Sequence, residues 1–109
     1  MTVSTHVLDA SAGLPAADVV VSLTFADPSG GWVPVESGKT DRDGRPRFAA
    51  ATAVGVYQLA FGTGAYFAGR GVAAFYPEVT ITFTVAEAGA HCHVPLLLSP
   101  FAYSTYRGS

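Results

Sequence analysis

Three histidines, His6, His91 and His93, stand among the 109 residues. Histidine is the side chain best suited to moving protons near neutral pH. His91 and His93 are two positions apart, so on a strand they share one face and Cys92 takes the other. His6 lies in a second strand-like run near the N-terminus. A His-x-His pair with one distant histidine serves two chemistries. One is proton transfer at a reacting carbonyl. The other is a three-nitrogen catalytic zinc shell with an open position for water. No cysteine cluster or glutamate supports the metal, and each histidine can equally be a half-buried structural residue with satisfied nitrogens.

Arg45 follows a tight Asp-Gly turn, and Arg107 is near the C-terminal end. A guanidinium is a permanent charge with a planar fork of donors, suited to a carboxylate or a planar anion. The common alternative is a solvated surface arginine. Arg42, Arg47, Arg70 and Lys39 read as surface or structural residues. The tail runs apolar and aromatic from Pro95 to Tyr106, where chain ends are ordinarily polar and frayed. If it is ordered, the Ser109 carboxylate and hydroxyl lie close to Arg107, with Gly108 permitting a bend.

The elements that must position these groups read as short strands, alternating with period two and bounded by turn residues. They are Val3 to Asp9, Val19 to Phe25, Trp32 to Thr40, Arg45 to Phe48, Val54 to Phe61, Val79 to Val85, His91 to Leu98 and Ala102 to Tyr106. Gly13 to Pro15, Asp27 to Gly31 and Asp41 to Gly44 read as turns. Pro34 marks the third strand as irregular or at an edge. Gly64 to Arg70 breaks the alternation and reads as a short helix, with Gly71 as a stop. Many short strands at this spacing predict an all-β antiparallel sandwich or barrel.

Half of the chain is hydrophobic and only 13% is charged, against roughly 25% in an average soluble domain. The length predicts one domain over residues 1–109. Disorder is excluded by the hydrophobicity. A nucleic-acid partner is not expected at a net charge of -2 and a pI of 5.8. No run reaches the roughly 20 apolar residues of a spanning helix, so no membrane is expected. Met1 to Ala10 lacks the basic start and apolar run of a signal peptide. With Cys92 the single cysteine, a reducing cytoplasmic location is expected. The remaining explanation for so little charge is burial against other subunits.

The ending HCHVPLLLSPFAYSTYRGS resembles the transthyretin-like family, and its last four residues, Tyr106-Arg107-Gly108-Ser109, resemble the signature of the family's 5-hydroxyisourate hydrolase branch. Ser4-Thr5-His6-Val7-Leu8-Asp9 and Thr40-Asp41-Arg42-Asp43-Gly44-Arg45 match the same family in the same order. The resemblance implies a sandwich of two four-stranded sheets with one short helix, and a homotetramer, a dimer of dimers, with sites in a channel between dimers. It implies a small-molecule substrate, 5-hydroxyisourate, whose ring amide is opened by histidine-assisted attack of water. It implies catalytic roles for His6, Arg45, His93 and Ser109, substrate-binding roles for Tyr106, Arg107 and Gly108, and no metal or other cofactor. His91 matches the pattern without an implied direct role.

Three other readings compete with the hydrolase. One is a non-catalytic carrier of a planar aromatic ligand in the same tetramer channel, which would not need proton-transfer groups. A zinc hydrolase would use all three histidines. A purely structural oligomer would leave the motifs unexplained.

Overall fold

Residues that alternate between apolar and polar present one apolar face when extended, and two such faces bury each other. The computed structural model describes residues 3–48, 53–87, 89 and 91–109. Its elements are β1 (Val3–Asp9), β2 (Leu14–Pro15), β3 (Val20–Ala26), β4 (Trp32–Lys39), β5 (Gly55–Phe61), α1 (Thr63–Gly69), β6 (Val79–Val85), β7 (Cys92–Leu98) and β8 (Tyr103–Thr105). They form two four-stranded sheets, ordered β2-β1-β7-β8 and β4-β3-β5-β6. The core lies between them, with Val7, Leu23, Leu59, Phe61, Phe67 and Leu96 at 2% exposure or less. Among the described residues no helix is long and apolar enough to cross a membrane.

The two-sheet sandwich with one short helix is as expected, with two differences. The run Arg45 to Phe48 is not a strand: its pairing is a single bridge, Thr40 to Pro46. Pro46 has no N–H for a ladder, and the preceding loop spends its hydrogen bonds elsewhere. The Gly44 carbonyl accepts from Val7 N–H, and Asp41 and Arg45 bond to each other. The eighth strand is instead β2, read from sequence as part of a turn. It folds back antiparallel on β1, pairing Leu8 with Pro15 and Asp9 with Leu14. The sheets are also not wholly antiparallel, because β1 and β7 run parallel from Val3↔Cys92 to Asp9↔Leu98. Pro34 lies on edge strand β4, where the register with β3 shifts.

β1 shows how the pattern positions the chemistry. Val3, Thr5, Val7 and Asp9 point into the core, and Ser4, His6 and Leu8 point to the outer face. Helix α1 lacks a side-chain cap and is too short to be stable alone. It is held by burial of Tyr66 and Phe67 and by the Tyr66 hydroxyl, which donates to Asp9 Oδ2 at 2.7 Å.

Candidate active site

Parallel pairing of β1 with β7 places Ser4 opposite His93, and His6 opposite Pro95. The outer face of this sheet therefore carries Ser4 and His6 on one strand and His93 on its neighbour. His91 directly precedes β7 and addresses the same place. Ser4 Oγ is 2.7 Å from His93 Nδ1 and 3.0 Å from His91 Nε2. Cys92 takes the opposite face and packs against the core, as the alternation predicts.

The Asp41–Arg45 turn brings the arginine. Asp41 Oδ1 accepts from Asp43 N–H at 2.9 Å and from Arg45 N–H at 3.1 Å. Those bonds, led by the one from Arg45, hold the Asp41 carboxyl below its ordinary value despite some desolvation. Gly44 has φ of +80° and is buried against β1, where a Cβ would collide with the Val7 carbonyl oxygen. Only glycine meets both demands. The turn can therefore lie flat on β1, and His6 Nε2 reaches the Asp43 carbonyl oxygen at 2.7 Å. A carbonyl only accepts, so Nε2 carries a proton, and in neutral His6 the lone pair is at Nδ1.

His93 feels the whole cluster. Burial lowers its pKa below 6.5, and the Arg45 charge and then the neighbouring His91 and His6 push the same way, against a hydrogen bond that the ring donates to the Ser4 backbone. His93 is thus held neutral at pH 7, the form that accepts a proton.

The tail is ordered onto the same histidine. Gly108 forms a bridge with His93, its N–H donating to the His93 carbonyl at 2.8 Å. A Cβ at Gly108 would stand 2.5 Å from His93 Cδ2, so the imidazole lies where any other side chain would be. Tyr106 and Arg107 border an apolar cavity of about 260 Å³ with His93, Cys92, Ile81 and Phe83. Ser109 follows Gly108 and is exposed.

Of the residues expected from sequence, the structure gathers His6, Arg45, His93 and Gly108, and adds His91. Tyr106 and Arg107 border the cavity that His93 also lines. Sequence reasoning assigns no role to Ser4. The signal available was its place two residues before His6, on the same face of β1.

The family model described as HIUase/Transthyretin family matches residues 3–108. A 5-hydroxyisourate hydrolase from Ralstonia nicotianae is 44% identical over 114 residues, covering 97% of each chain. The structure of Klebsiella pneumoniae 5-hydroxyisourate hydrolase matches with a TM-score of 0.87 at 38% identity, covering 100% of both chains. Sea bream transthyretin in complex with thyroxine matches with a TM-score of 0.94 at 30% identity, over 99% of this chain and 95% of that one. Sequence, fold and motif order agree, and this chain belongs to the HIUase/transthyretin family.

Proposed function

We propose that the chain hydrolyses 5-hydroxyisourate, opening a ring amide to give 2-oxo-4-hydroxy-4-carboxy-5-ureidoimidazoline in urate breakdown. The observation that carries this is the convergence of His6, His93 and Arg45, in a chain 44% identical to a hydrolase of that name. Water adds to the strained ring carbonyl as one histidine removes its proton. The new C–O bond forms, the C–N bond breaks, and the leaving nitrogen takes up a proton. The second histidine orients the water or supplies that proton. His93 is poised as the neutral base, and His6 presents Nδ1 because Asp43 holds its other nitrogen. Arg45 holds the planar anion and steadies charge developing on oxygen. Tyr106, Arg107 and Gly108 form the wall beside His93, and Ser109 orients a histidine. The scheme uses no cofactor.

The working form is a homotetramer, a dimer of dimers, with the histidine face lining a channel. Exposed Leu14, Phe75, Phe101, Tyr103 and Tyr106 support burial against other copies. The free thiol of Cys92 fits a cytoplasmic setting.

The test follows the absorbance of freshly generated 5-hydroxyisourate. The wild type accelerates its decay. His93→Ala and a chain lacking residues 106–109 each lose about 100-fold or more in kcat/KM, the usual loss with a general base or its support. Unchanged rates in both variants overturn the assignment. A carrier function, which the thyroxine complex of sea bream transthyretin favours, predicts ligand binding without turnover.

A further inference from the structure

Ser4 has one hydroxyl proton and two imidazole neighbours. Its Oγ is 2.7 Å from His93 Nδ1 and 3.0 Å from His91 Nε2. A serine hydroxyl donates once and accepts with its lone pairs. Between two neutral rings, it can donate to one and accept from the other, and two arrangements do this. In the first, His93 Nδ1–H donates to Ser4 and Ser4 donates to His91 Nε2, which leaves a lone pair at His93 Nε2. In the second every bond is reversed, and His93 Nε2 carries a proton. The first is a general base, the second a general acid.

We propose that Ser4 is a positioning residue that joins His91 to His93 in a proton relay, so that His93 serves as base and then as acid within one turnover. This rests on the hydrolytic reading above and assigns His6 to orienting the water. The step balances. His93 Nε2 takes a proton from water as the C–O bond forms. The His93 Nδ1 proton passes to Ser4 Oγ, and the Ser4 proton passes to His91 Nε2, making His91 the imidazolium. His93 Nε2–H then protonates the leaving nitrogen as the C–N bond breaks, and the relay runs back. No proton is gained or lost and nothing is oxidised.

The surroundings favour this direction. Cationic His93 is opposed by burial and by Arg45 from the turn, with His6 on β1 and His91 beside it adding to the effect. Arg107 belongs to the tail segment that pairs with His93 at Gly108. His91 is exposed, where water solvates a positive charge. The relay therefore moves the charge from the half-buried ring to the solvated one.

The experiment measures steady-state hydrolysis in Ser4→Ala, Ser4→Thr, His91→Phe and the Ser4→Ala/His91→Phe double variant. Removing the relay lowers kcat by about 10–100-fold, part of the usual acid–base contribution, while KM stays within about twofold. Ser4→Thr keeps a hydroxyl and restores most of the rate. It also keeps the test open if Ser4→Ala folds poorly. The double variant is no slower than the slower single variant, because both break one chain. The solvent-deuterium proton inventory is curved in the wild type and linear in Ser4→Ala. A Ser4→Ala kcat and pH profile matching the wild type overturns the relay, as do losses that multiply in the double variant. A wild type that does not consume the substrate overturns the hydrolase reading instead. Nitrogen-15 spectra of the resting histidines then decide the relay. Linked His91 and His93 tautomers that uncouple in Ser4→Ala support it, and spectra identical in the two proteins overturn it.

Discussion

Gly108 is required for what it lacks, since any Cβ there would meet the His93 ring 2.5 Å away. Gly108→Ala must therefore push the imidazole aside. We expect kcat to fall by about 10–100-fold, as misplacement of a catalytic group by an ångström does. The unfolding midpoint should barely move, because Gly108 pairs with β7 through a single bridge outside the strands; denaturant melts beside the rate assay check this. Arg45 acts on the same ring through charge. The folded pKa of His93 is below 6.5, with burial the first cause and Arg45 the second. The neutral base is present above that pKa and is lost as pH falls through it, so the acid limb of kcat/KM has its midpoint below 6.5. Arg45→Gln removes one lowering influence, and the midpoint rises toward 6.5 as the maximum rate drops. A pH–rate profile with an unmoved acid limb would show that Arg45 does not act on His93.

At the scale of elements, the site strand is anchored at its far end. Asp9 closes β1, and its carboxylate accepts from the Ser11 hydroxyl and N–H, the Ala12 N–H and the Tyr66 hydroxyl of α1. Burial pushes the Asp9 carboxyl up, but these hydrogen bonds outweigh it and leave the pKa below 3.8. Tyr66 is pushed up to about 12, first by burial and then by its bond to Asp9. Tyr66→Phe keeps the packing and loses the bond, which should cost about 1–3 kcal/mol for a charged acceptor. Because the folded Asp9 pKa is depressed, its contribution is full above the unfolded value, near 3.9, and is lost as pH falls through the folded one. Thermal melts of the pair at neutral pH and near pH 3 should show the gap narrowing; a constant gap would place the effect in packing.

For the whole molecule, the shortage of charge now has a location. Leu14 of β2, Tyr103 of β8, and Phe75, Phe101 and Tyr106 are exposed on the single chain, with Phe75 at 70% and Phe101 at 67%. Rings stacked edge to face, Phe75 on Tyr76 and Tyr76 on Tyr103, hold part of this apolar surface in shape. Apolar surface of this kind marks a contact site, and the proposed homotetramer would cover it. Sedimentation should give about four times the 11.2 kDa chain mass, and activity should fall on dilution below the assembly range. A stable, active monomer would overturn the tetramer.

Local pattern determined much of this protein. Alternation set the long strands and put His91 and His93 on one side and Cys92 on the other, since a side-chain period of two is a property of a single strand. The Asp-Gly turn before Arg45 was equally local, and motif order pointed to the family. Three things depended on pairing between distant segments. Ser4 meets His91 and His93 across 87 and 89 residues, a contact made by the parallel register of β1 on β7 and carried by no short pattern. Arg45 to Phe48 has strand-like composition, but its backbone groups bond to the turn and to β1, while Leu14–Pro15 gained a ladder from β1. Gly108 looked like freedom to bend and proved to be room for a ring. Strand propensity says which residues can extend; which backbone groups remain to be paired, and against what, is decided only when the sheets come together.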